Sequence, residues 1–290
     1  MNRMEYLNGI SCIIVGYRSL DYLEECIESI RRQKGVAFEI VVVDNDSRDG
    51  TDYYLNKLDT KNILLDENRG FGTAVNLGAK KAEYKHLFIL NPDTIVPPDS
   101  LKKLFRFAEL KADYGLIAPA LEYPDGRPQI SARKLPRRRD FLLSRGSPLY
   151  RLGITGEKEG GYIVPDAGDS IEIPAVSATA ILIKTELFNE MGGFDERFFM
   201  YMEDIDLCRR IRDRGLPVIL VPGVRIKHSW RKSSSKKPFF SAYHHHLSVL
   251  KYFSKYDKNR IVMNFLMVIV VAAGFIFSVV LIFGKKVFCR

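Results

Sequence analysis

Residues 38–51 read FEIVVVDNDSRDGT, an apolar run that stops at Asp44 and continues as an acidic turn. A short apolar run bounded by turn residues is typical of a strand that is buried on both faces of a parallel sheet. Similar runs occupy residues 10–15, 63–65 and 87–90, and the last of them ends in the turn Asn-Pro-Asp-Thr. We therefore predict four strands with polar turns at their carboxyl ends.

Helical spacing appears between these strands. Leu23, Ile27 and Ile30 share one face of a predicted helix that follows Ser19, a candidate N-cap, and residues 73–83 form a second helix. Strands that alternate with helices predict a mostly parallel sheet with helices on both faces, which is the α/β class. Ligands bind at the carboxyl ends of the strands in such sheets, where the acidic and glycine-rich turns of this chain fall.

The composition is that of a globular protein with a basic surface. The chain has 290 residues, of which 46% are hydrophobic, and its 44 Lys and Arg outnumber 35 Asp and Glu. This hydrophobic content argues against disorder, and the net charge of +9 suits nucleotide phosphates, anionic lipid or nucleic acid. No nucleic-acid recognition motif accompanies the charge, so we expect no nucleic-acid partner.

The cysteines and the first residues indicate a cytoplasmic environment. The four cysteines match neither a metal site nor a disulfide framework, which favours a reducing environment. The first ten residues, MNRMEYLNGI, lack the apolar core of a signal peptide.

Two carboxylates follow predicted strands. Asp44 can accept hydrogen bonds from a nucleobase or a ribose, or it can simply cap its turn. Pro92 makes Asn91 extended and ends its strand, so that Asp93 projects from the strand end. One carboxylate, diphosphate oxygens and water suit Mg²⁺ or Mn²⁺, although an ordinary Asp-Thr turn explains Asp93 equally well.

A second acidic pair opens a helix. Strand patterns at 178–183 and 218–221 flank the helix EDIDLCRRIRDRG, which starts at Glu203-Asp204 and which Gly215 terminates. Acids in a first turn favour the helix dipole, but two of them beside an aromatic-rich entry exceed what capping needs, and such a carboxylate can act as a general base.

Two further side chains of this region have open roles. Asp206 and Arg210, four residues apart, are predicted to pair on the face of that helix. His228 can bind metal, contact phosphate or be a satisfied histidine.

Six segments occur in a recognisable order. They read IIVGYRS, VVVDNDSRDGT, ENRGFGTAVNLG, FILNPDT, GGFDERFFMYMEDIDLCRRIRDRG and KHSW, within about residues 9–255. Together they resemble glycosyltransferase family 2, especially its rhamnosyltransferase-like branch. The resemblance implies a GT-A fold and an inverting transfer of a sugar, with rhamnose as one candidate, from a nucleotide diphosphate donor to a hydroxyl.

The resemblance also implies the site residues. The positions that match the nucleotide-sugar site are Val15, Tyr17, Ser19, Asp44, Asn68, Gly70, Phe71, Gly72, Asn76 and Asn91. Asp204 matches the catalytic base with Glu203 beside it, Asp93 and His228 match the metal site for Mg²⁺ or Mn²⁺, and Trp230 lies near the acceptor.

The chain departs from the family pattern at two places. It has Gly16-Tyr17-Arg18 where Asn-Tyr-Asn is common, and Arg18 can meet phosphate or alter nucleotide choice. Asn91 replaces the first acid of a full DxD motif, which leaves Asp93 as one strong metal ligand.

The C-terminal region predicts membrane attachment. Residues 261–283 carry no charge, and as a helix of about 34 Å they would cross roughly 30 Å of hydrocarbon. We therefore expect a catalytic domain at 1–235, a basic membrane-proximal helical segment at 236–260, the transmembrane helix and a short basic tail at 284–290. The protein would lie in the cell membrane as a single-pass protein, with its catalytic domain facing the cytoplasm.

The predicted acceptor is a lipid-linked saccharide of cell-surface polysaccharide synthesis. The membrane helix, the arginine-rich segment 133–151 and lysines 251, 255 and 258 would all bring the domain to anionic lipid. One alternative is a polyprenyl-phosphate sugar synthase, which needs no strong base. Another is an inactive GT-A binding or scaffold protein. A nicotinamide oxidoreductase is disfavoured because no GxGxxG follows the first strand, and the oligomeric state stays open.

Overall fold

The computed structural model describes residues 6–137, 161–162, 170–229, 238–256, 268–269 and 272. Trp230, residues 138–151 of the arginine-rich segment and most of the predicted span 261–283 lie outside the described residues. Within the described part of the chain, no helix is long and apolar enough to cross a membrane.

The described residues form twelve strands and seven helices. The strands are β1 (Leu7–Gly16), β2 (Phe38–Asp44), β3 (Lys61–Leu64), β4 (Tyr84–Leu90), β5 (Thr94–Ile95), β6 (Leu116–Glu122), β7 (Ala132–Arg133), β8 (Gly161–Tyr162), β9 (Ile171–Ile173), β10 (Ala175–Val176), β11 (Ala180–Lys184) and β12 (Val218–His228). The helices are α1 (Leu20–Arg31), α2 (Thr51–Leu55), α3 (Phe71–Ala79), α4 (Ser100–Leu110), α5 (Thr185–Glu190), α6 (Glu203–Asp213) and α7 (Pro238–Tyr256).

The first half of the main sheet is the predicted parallel arrangement. Its order is β3-β2-β1-β4, and each neighbouring pair is parallel. The register aligns Gly16 with Asp44 and Ile14 with Leu90. The carboxyl ends of β1, β2 and β4 therefore lie at one edge, which brings the turns after these strands together.

The second half of the sheet departs from a simple alternation of strand and helix. Strand β11 lies between β4 and β6 and runs antiparallel to both, while β12 runs parallel to β6. Strand β12 continues past the predicted residues 218–221 to His228, where it pairs antiparallel with β5 so that His228 faces Thr94. This pairing carries His228 to the edge where β4 ends.

The sheet has a packed apolar layer on each face. Alternate residues of β1 point to opposite layers, so that Ile13 packs with α3 and α6 on one face while Ile14 packs with α1 and α4 on the other. Helix α7, predicted as part of a membrane-proximal segment, places Val249, Tyr252 and Phe253 in the layer that contains Ile13.

A buried ionic cluster fixes α7 against α6. The Asp206 carboxylate is fully buried and accepts hydrogen bonds from Arg210 Nε at 2.7 Å, Lys255 Nζ at 2.5 Å and Tyr256 Oη at 2.7 Å. The predicted pair of Asp206 and Arg210 is confirmed, and Lys255 also contacts Asp195 at 2.7 Å. Two cations and a hydroxyl thus compensate one buried carboxylate, so α7 is tied to α6 by charge as well as by packing.

Candidate active site

Asp44 ends β2 with an unsatisfied acceptor. The side chain is 5% exposed, and its Oδ1 is buried without a hydrogen-bond partner among the described residues. Burial raises the pKa of the Asp44 carboxyl, and hydrogen bonds from Ser47 partly oppose the rise. A buried acceptor at the ligand-binding edge is suited to a donor from a nucleobase or ribose.

The turn after β1 lies beside Asp44. Ser19 occupies the N-cap position of α1, as predicted, and its carbonyl accepts hydrogen bonds from Tyr22 and Leu23. Its hydroxyl, however, makes no capping bond and is buried without a partner among the residues that the structure describes. Val15 is buried in the core, and Tyr17 is half-buried at the start of the turn. The Ser19 hydroxyl, like Asp44, is thus available to a ligand.

Asn45, which the sequence analysis did not select, holds the neighbouring glycine-rich loop. Its Nδ2 donates to the carbonyl of Gly70 at 3.2 Å, and its Oδ1 accepts from the backbone N–H of Arg69 at 2.9 Å. Asn68 closes the same loop, because its Oδ1 accepts from Gly70 N–H at 3.0 Å. The position of Asn45 directly after Asp44, in the turn that the sequence analysis quoted, was the available signal.

Gly70 lies against the segment that leads into α6. Its φ is +85°, and a Cβ at this position would lie 2.3 Å from the carbonyl oxygen of Phe199. The next residue, Phe71, donates its N–H to that same oxygen at 3.0 Å. A Cβ on Gly72 would lie 3.8 Å from Cβ of Glu203. The glycine-rich loop therefore contacts the segment that leads into α6 and lies beside Glu203.

Asn76 has protein partners for its side chain. Its Nδ2 donates to the carbonyl of Phe194 and to Glu196 Oε1, and its Oδ1 accepts from Phe194 N–H at 2.8 Å. The side chain is buried and joins α3 to a turn 118 residues away in sequence. Its observed contacts are those of a residue that positions the site, and its predicted contact with the donor stays a prediction.

Asp93 and His228 meet at the carboxyl end of β4. Asp93 Oδ1 lies 3.3 Å from His228 Nε2, and both side chains are buried. The Asp93 carbonyl accepts a hydrogen bond from Ser229 N–H at 3.0 Å. Asn91 fixes the turn from the other side, because its N–H donates to the Thr179 carbonyl at 3.0 Å. The structure thus brings together the two predicted metal ligands.

Gln129 is a third member of this cluster. Its Oε1 lies 2.9 Å from His228 Nδ1, and its Nε2 donates to the His228 carbonyl at 2.6 Å. The side chain is 4% exposed. Gln129 was not among the predicted site residues, because no spacing motif links it to a histidine 99 residues later.

The cluster suits a divalent cation that is shared with a ligand. A carboxylate oxygen and an imidazole nitrogen are both ligands of Mn²⁺, and Mg²⁺ favours the oxygen. Among the described residues, no group of three or more His, Cys, Asp or Glu side chains could hold a metal alone. Two protein ligands leave coordination positions for diphosphate oxygens and water, which is the usual arrangement in phosphate-binding sites.

Glu203 and Asp204 begin α6 after two strained residues. Tyr201 and Met202 have φ of 67° and 69°, and such left-handed backbone costs energy in residues other than glycine. These two residues lead the backbone into α6, whose first residue, Glu203, lies beside Gly72. Asp204 Oδ1 accepts from Ile205 N–H at 2.8 Å and Oδ2 from Ala178 N–H at 3.4 Å.

The two carboxyls have different surroundings. Glu203 is 7% exposed, and its Oε2 has no hydrogen-bond partner among the described residues. Burial raises the pKa of Glu203 well above its ordinary value, and the adjacent Asp204 charge raises it further. Burial also raises the pKa of Asp204, but Arg133 and backbone N–H groups oppose the rise. The pKa of Glu203 is thus raised more strongly than that of Asp204, so Asp204 is the first of the pair to lose its proton.

Arg133 supplies a cation to this part of the site. Arg133 is the first residue of the arginine-rich segment 133–151 that was predicted to approach lipid. The structure places it in β7, which pairs with β10. Its Nε is buried and has no hydrogen-bond partner in the described part of the chain. A guanidinium that acts on Asp204 and retains a free N–H is suited to bind an anionic group.

One family model and two relatives match this chain. A family model described as Glycosyl transferase family 2 matches residues 11–190. N-acetylglucosaminyl-diphospho-decaprenol L-rhamnosyltransferase of Mycobacterium tuberculosis is 28% identical over 253 residues, which are 81% of this chain and 81% of that protein. Rhamnosyltransferase WbbL of Escherichia coli is 26% identical over 256 residues, which are 84% of this chain and 92% of that protein.

A solved structure shares the fold. GalNAc-T7, crystallised with UDP, GalNAc and Mn²⁺, superposes with a TM-score of 0.57 at 16% identity over 85% of this chain. The match covers 54% of that protein, so this chain spans about half its length. The predicted GT-A-like sheet with flanking helices is confirmed, whereas α6 with its acidic pair lies beyond the residues that the family model matches.

Proposed function

This chain belongs to glycosyltransferase family 2, and from that premise we propose that it transfers a hexosyl residue, with rhamnose as the first candidate, from a nucleoside diphosphate to a lipid-linked saccharide. The observation that carries the proposal is the convergence of three groups at one sheet edge. They are the unsatisfied carboxylate Asp44, the pair of Asp93 and His228, and the acidic pair that starts α6.

The acidic pair supports an inverting mechanism. Asp204 takes the proton of the acceptor hydroxyl while that oxygen attacks the anomeric carbon of the donor sugar. A new carbon–oxygen bond forms, and the bond to the diphosphate oxygen breaks with its electron pair on the leaving nucleoside diphosphate. The base and the leaving group lie on opposite faces of the sugar, so the anomeric configuration inverts. Glu203, which retains its proton, keeps a second negative charge away from the base.

The leaving diphosphate needs positive charge. Asp93 and His228 would hold a divalent cation, either Mn²⁺ or Mg²⁺, which neutralises charge on the diphosphate oxygens when it is bound. This assignment is supported by the distance of 3.3 Å between Asp93 Oδ1 and His228 Nε2. It is also supported by GalNAc-T7, whose fold this chain shares and which was solved with Mn²⁺. Asp44 and the Ser19 hydroxyl hold the nucleoside in this proposal.

An anionic acceptor is supported by Arg133. The guanidinium lies where it acts on Asp204, so an acceptor hydroxyl at the base would place neighbouring phosphate near a cation with a free donor. The name of the mycobacterial relative describes such an acceptor, an N-acetylglucosaminyl diphosphate on decaprenol. A polyprenyl phosphate acceptor would use the same cation, but its nucleophile is already ionised and gives Asp204 no proton to remove.

The test is a screen of nucleotide sugars with purified full-length protein and Mn²⁺, using N-acetylglucosaminyl-diphospho-polyprenol, polyprenyl phosphate and free sugars as acceptors. We expect transfer to the first acceptor, and an Asp93→Ala variant should lose at least about a hundredfold in kcat/KM. Asp113→Ala, at an exposed carboxylate outside the site, is the matched control. Full activity of Asp93→Ala, or of the wild type in excess chelator, would refute the metal assignment.

The same screen also tests which class of acceptor the protein uses. Arg133→Gln should reduce transfer to the diphospholipid acceptor more than it reduces slow hydrolysis of the donor. Equal loss in both reactions, or efficient transfer to free sugars, would refute the lipid-linked acceptor. A sugar–lipid monophosphate as the main product would replace the proposal with the synthase reaction.

A further inference from the structure

Gln129 contacts His228 at two points. We propose that Gln129 is a positioning residue that holds His228 in its Nδ1–H tautomer, so that the Nε2 lone pair faces Asp93. The hydrogen bond at Nδ1 and the hydrogen bond to the backbone carbonyl of His228 fix both the ring and the strand that carries it. None of the sequence-based assignments included this glutamine.

A tight turn brings Gln129 to the histidine. After β6 the chain reverses at Tyr123–Gly126, where Gly126 N–H donates to the Tyr123 carbonyl at 2.9 Å. Pro124 at the second position and Gly126 with φ of +83° are the residues that such a turn favours. Gln129 then returns beside β6, because its N–H donates to the Leu121 carbonyl at 2.8 Å. The neighbouring strand β12 ends at His228, so the two side chains meet.

The partners decide which end of the Gln129 amide faces the ring. The His228 carbonyl can only accept a hydrogen bond, and at 2.6 Å it must face the amide nitrogen. The amide oxygen therefore faces His228 Nδ1 at 2.9 Å, and this oxygen can only accept. Nδ1 must then carry the proton. In the neutral ring Nε2 is left with a lone pair, as ligating histidines require.

The lone pair has one charged neighbour. Nε2 lies 3.3 Å from Asp93 Oδ1, so in the neutral ring two acceptors face each other in a buried place. A cation between them satisfies both, and in this respect the inference rests on the proposed function. The proton on Nδ1 does not, because it follows from the contacts of Gln129, whereas without a cation the Asp93 carboxylate competes for a proton at Nε2. The opposite tautomer would turn an N–H toward the space that the cation needs.

Imidazole nitrogen spectroscopy tests the tautomer directly. We would record proton–nitrogen correlation spectra of metal-free, nitrogen-15 histidine-labelled Asp93→Ala protein, in which no Asp93 carboxylate competes for a proton at Nε2, and assign His228 by comparison with the same protein carrying His228→Gln. The pH is raised until the His228 signals stop changing, so that the neutral ring is observed. We expect a protonated Nδ1 and an unprotonated Nε2. A protonated Nε2 in the Asp93→Ala protein would overturn the proposal whatever the protein catalyses.

The variant Gln129→Met isolates the contribution of the amide. It keeps the length and volume of the side chain but removes the acceptor at Nδ1. We expect His228 to change to the Nε2–H tautomer, which free histidine prefers in water. Gln33→Met is the matched control, because Gln33 is also buried and also donates to backbone carbonyls, those of Ser29, Val96 and Pro97. The control should leave the His228 spectrum unchanged.

Binding of Mn²⁺ gives a second readout that does not depend on catalysis. Electron paramagnetic resonance measures free Mn²⁺ in the presence of a nucleoside diphosphate. Loss of a residue that orients a ligating histidine typically weakens metal affinity about 10–100-fold, and we expect this for Gln129→Met but not for Gln33→Met. Unchanged Mn²⁺ affinity in a correctly folded Gln129→Met protein, or equal loss in both variants, would show that Gln129 is only a packing residue.

Discussion

At the scale of single residues, the acidic pair shows how environment divides two roles between neighbours. Glu203 is enclosed and has an oxygen without a partner, whereas Asp204 receives two backbone N–H groups and the charge of Arg133. A charged oxygen gains more from such donors than a neutral one, so these contacts lower the pKa of Asp204 relative to that of Glu203. The base proposed for the reaction is therefore selected by its contacts and not by its residue type.

The first prediction separates the two carboxyls by activity. Asp204→Asn should lower kcat by about 10²–10⁴-fold, since it removes the proton acceptor while keeping the shape. Glu203→Gln should retain most of the activity, because glutamine is a close mimic of a protonated glutamic acid. The measurement is transfer rate at saturating donor and acceptor. If Glu203→Gln were the inactive variant and Asp204→Asn the active one, the roles would be reversed.

The same pair predicts how stability changes with pH. The raised pKa of Glu203 means that the folded protein keeps a proton which the unfolded chain releases above its ordinary pKa of 4.5. Stability is therefore lost as pH rises from that value toward the folded pKa. Urea unfolding across this window should show a shallower decline for Glu203→Gln than for wild type. An identical slope in both proteins would mean that Glu203 is ionised in the folded state.

Residue types at strand ends were predictable, whereas their partners were not. Asp44, Asp93 and Asp204 follow apolar runs or open a helix, so local pattern made them candidates, and the order of the six segments gave them their predicted roles. Gln129 and Arg133 owe their positions to contacts with distant parts of the chain. A single sequence contains no local signal for such contacts, because tertiary packing decides them.

At the scale of secondary structure, the junction of α6 and α7 depends on one buried carboxylate. Asp206→Asn would remove the carboxylate that pairs with Arg210 and leave Lys255 with Asp195 as its remaining carboxylate partner, and we expect a loss of about 3–5 kcal/mol in the free energy of unfolding. Asp213→Asn, at an exposed position on the same helix, should change stability by less than about 0.5 kcal/mol. Chemical denaturation of both variants provides the measurement. Equal stability would mean that packing alone holds α7.

The strands were easier to predict than their directions. Apolar runs located β1, β2 and β4, because strands buried on both faces need apolar residues throughout. The antiparallel insertion of β11 between β4 and β6 has no such signature, since a buried strand reads the same in either direction. The predicted helix at 73–83 ends earlier, at Ala79, with Lys80 as its C-cap.

At the scale of the whole molecule, α7 limits where the chain can be truncated without removing part of the core of the catalytic domain. The proposed membrane segment begins after α7, so truncation after residue 260 leaves Val249, Tyr252 and Phe253 in the core. We expect this truncated protein to be soluble, folded and active on the donor. Truncation after residue 235 removes those side chains and exposes Asp206, so it should yield a protein that unfolds at lower temperature or does not fold.

The proposed attachment to the cell membrane is tested with the full-length chain. After cell fractionation it should stay with the membranes through high-salt and carbonate washes, whereas the protein cut after residue 260 should not. Protease added to sealed cells should leave the catalytic domain intact, since the proposal places it on the cytoplasmic side. Release of the full-length protein by carbonate would rule out a spanning helix.

The contact between Gly70 and Phe199 has a consequence for how this sequence can diverge. The atom that excludes a side chain at position 70 is a main-chain carbonyl oxygen, and every residue type at position 199 carries the same oxygen. No substitution at position 199 can therefore relieve the clash, so a change at position 70 cannot be compensated by a change at position 199. Glycine at position 70 is a constraint set by the path of the backbone, and it should persist in descendants of this protein that have changed their donor sugar.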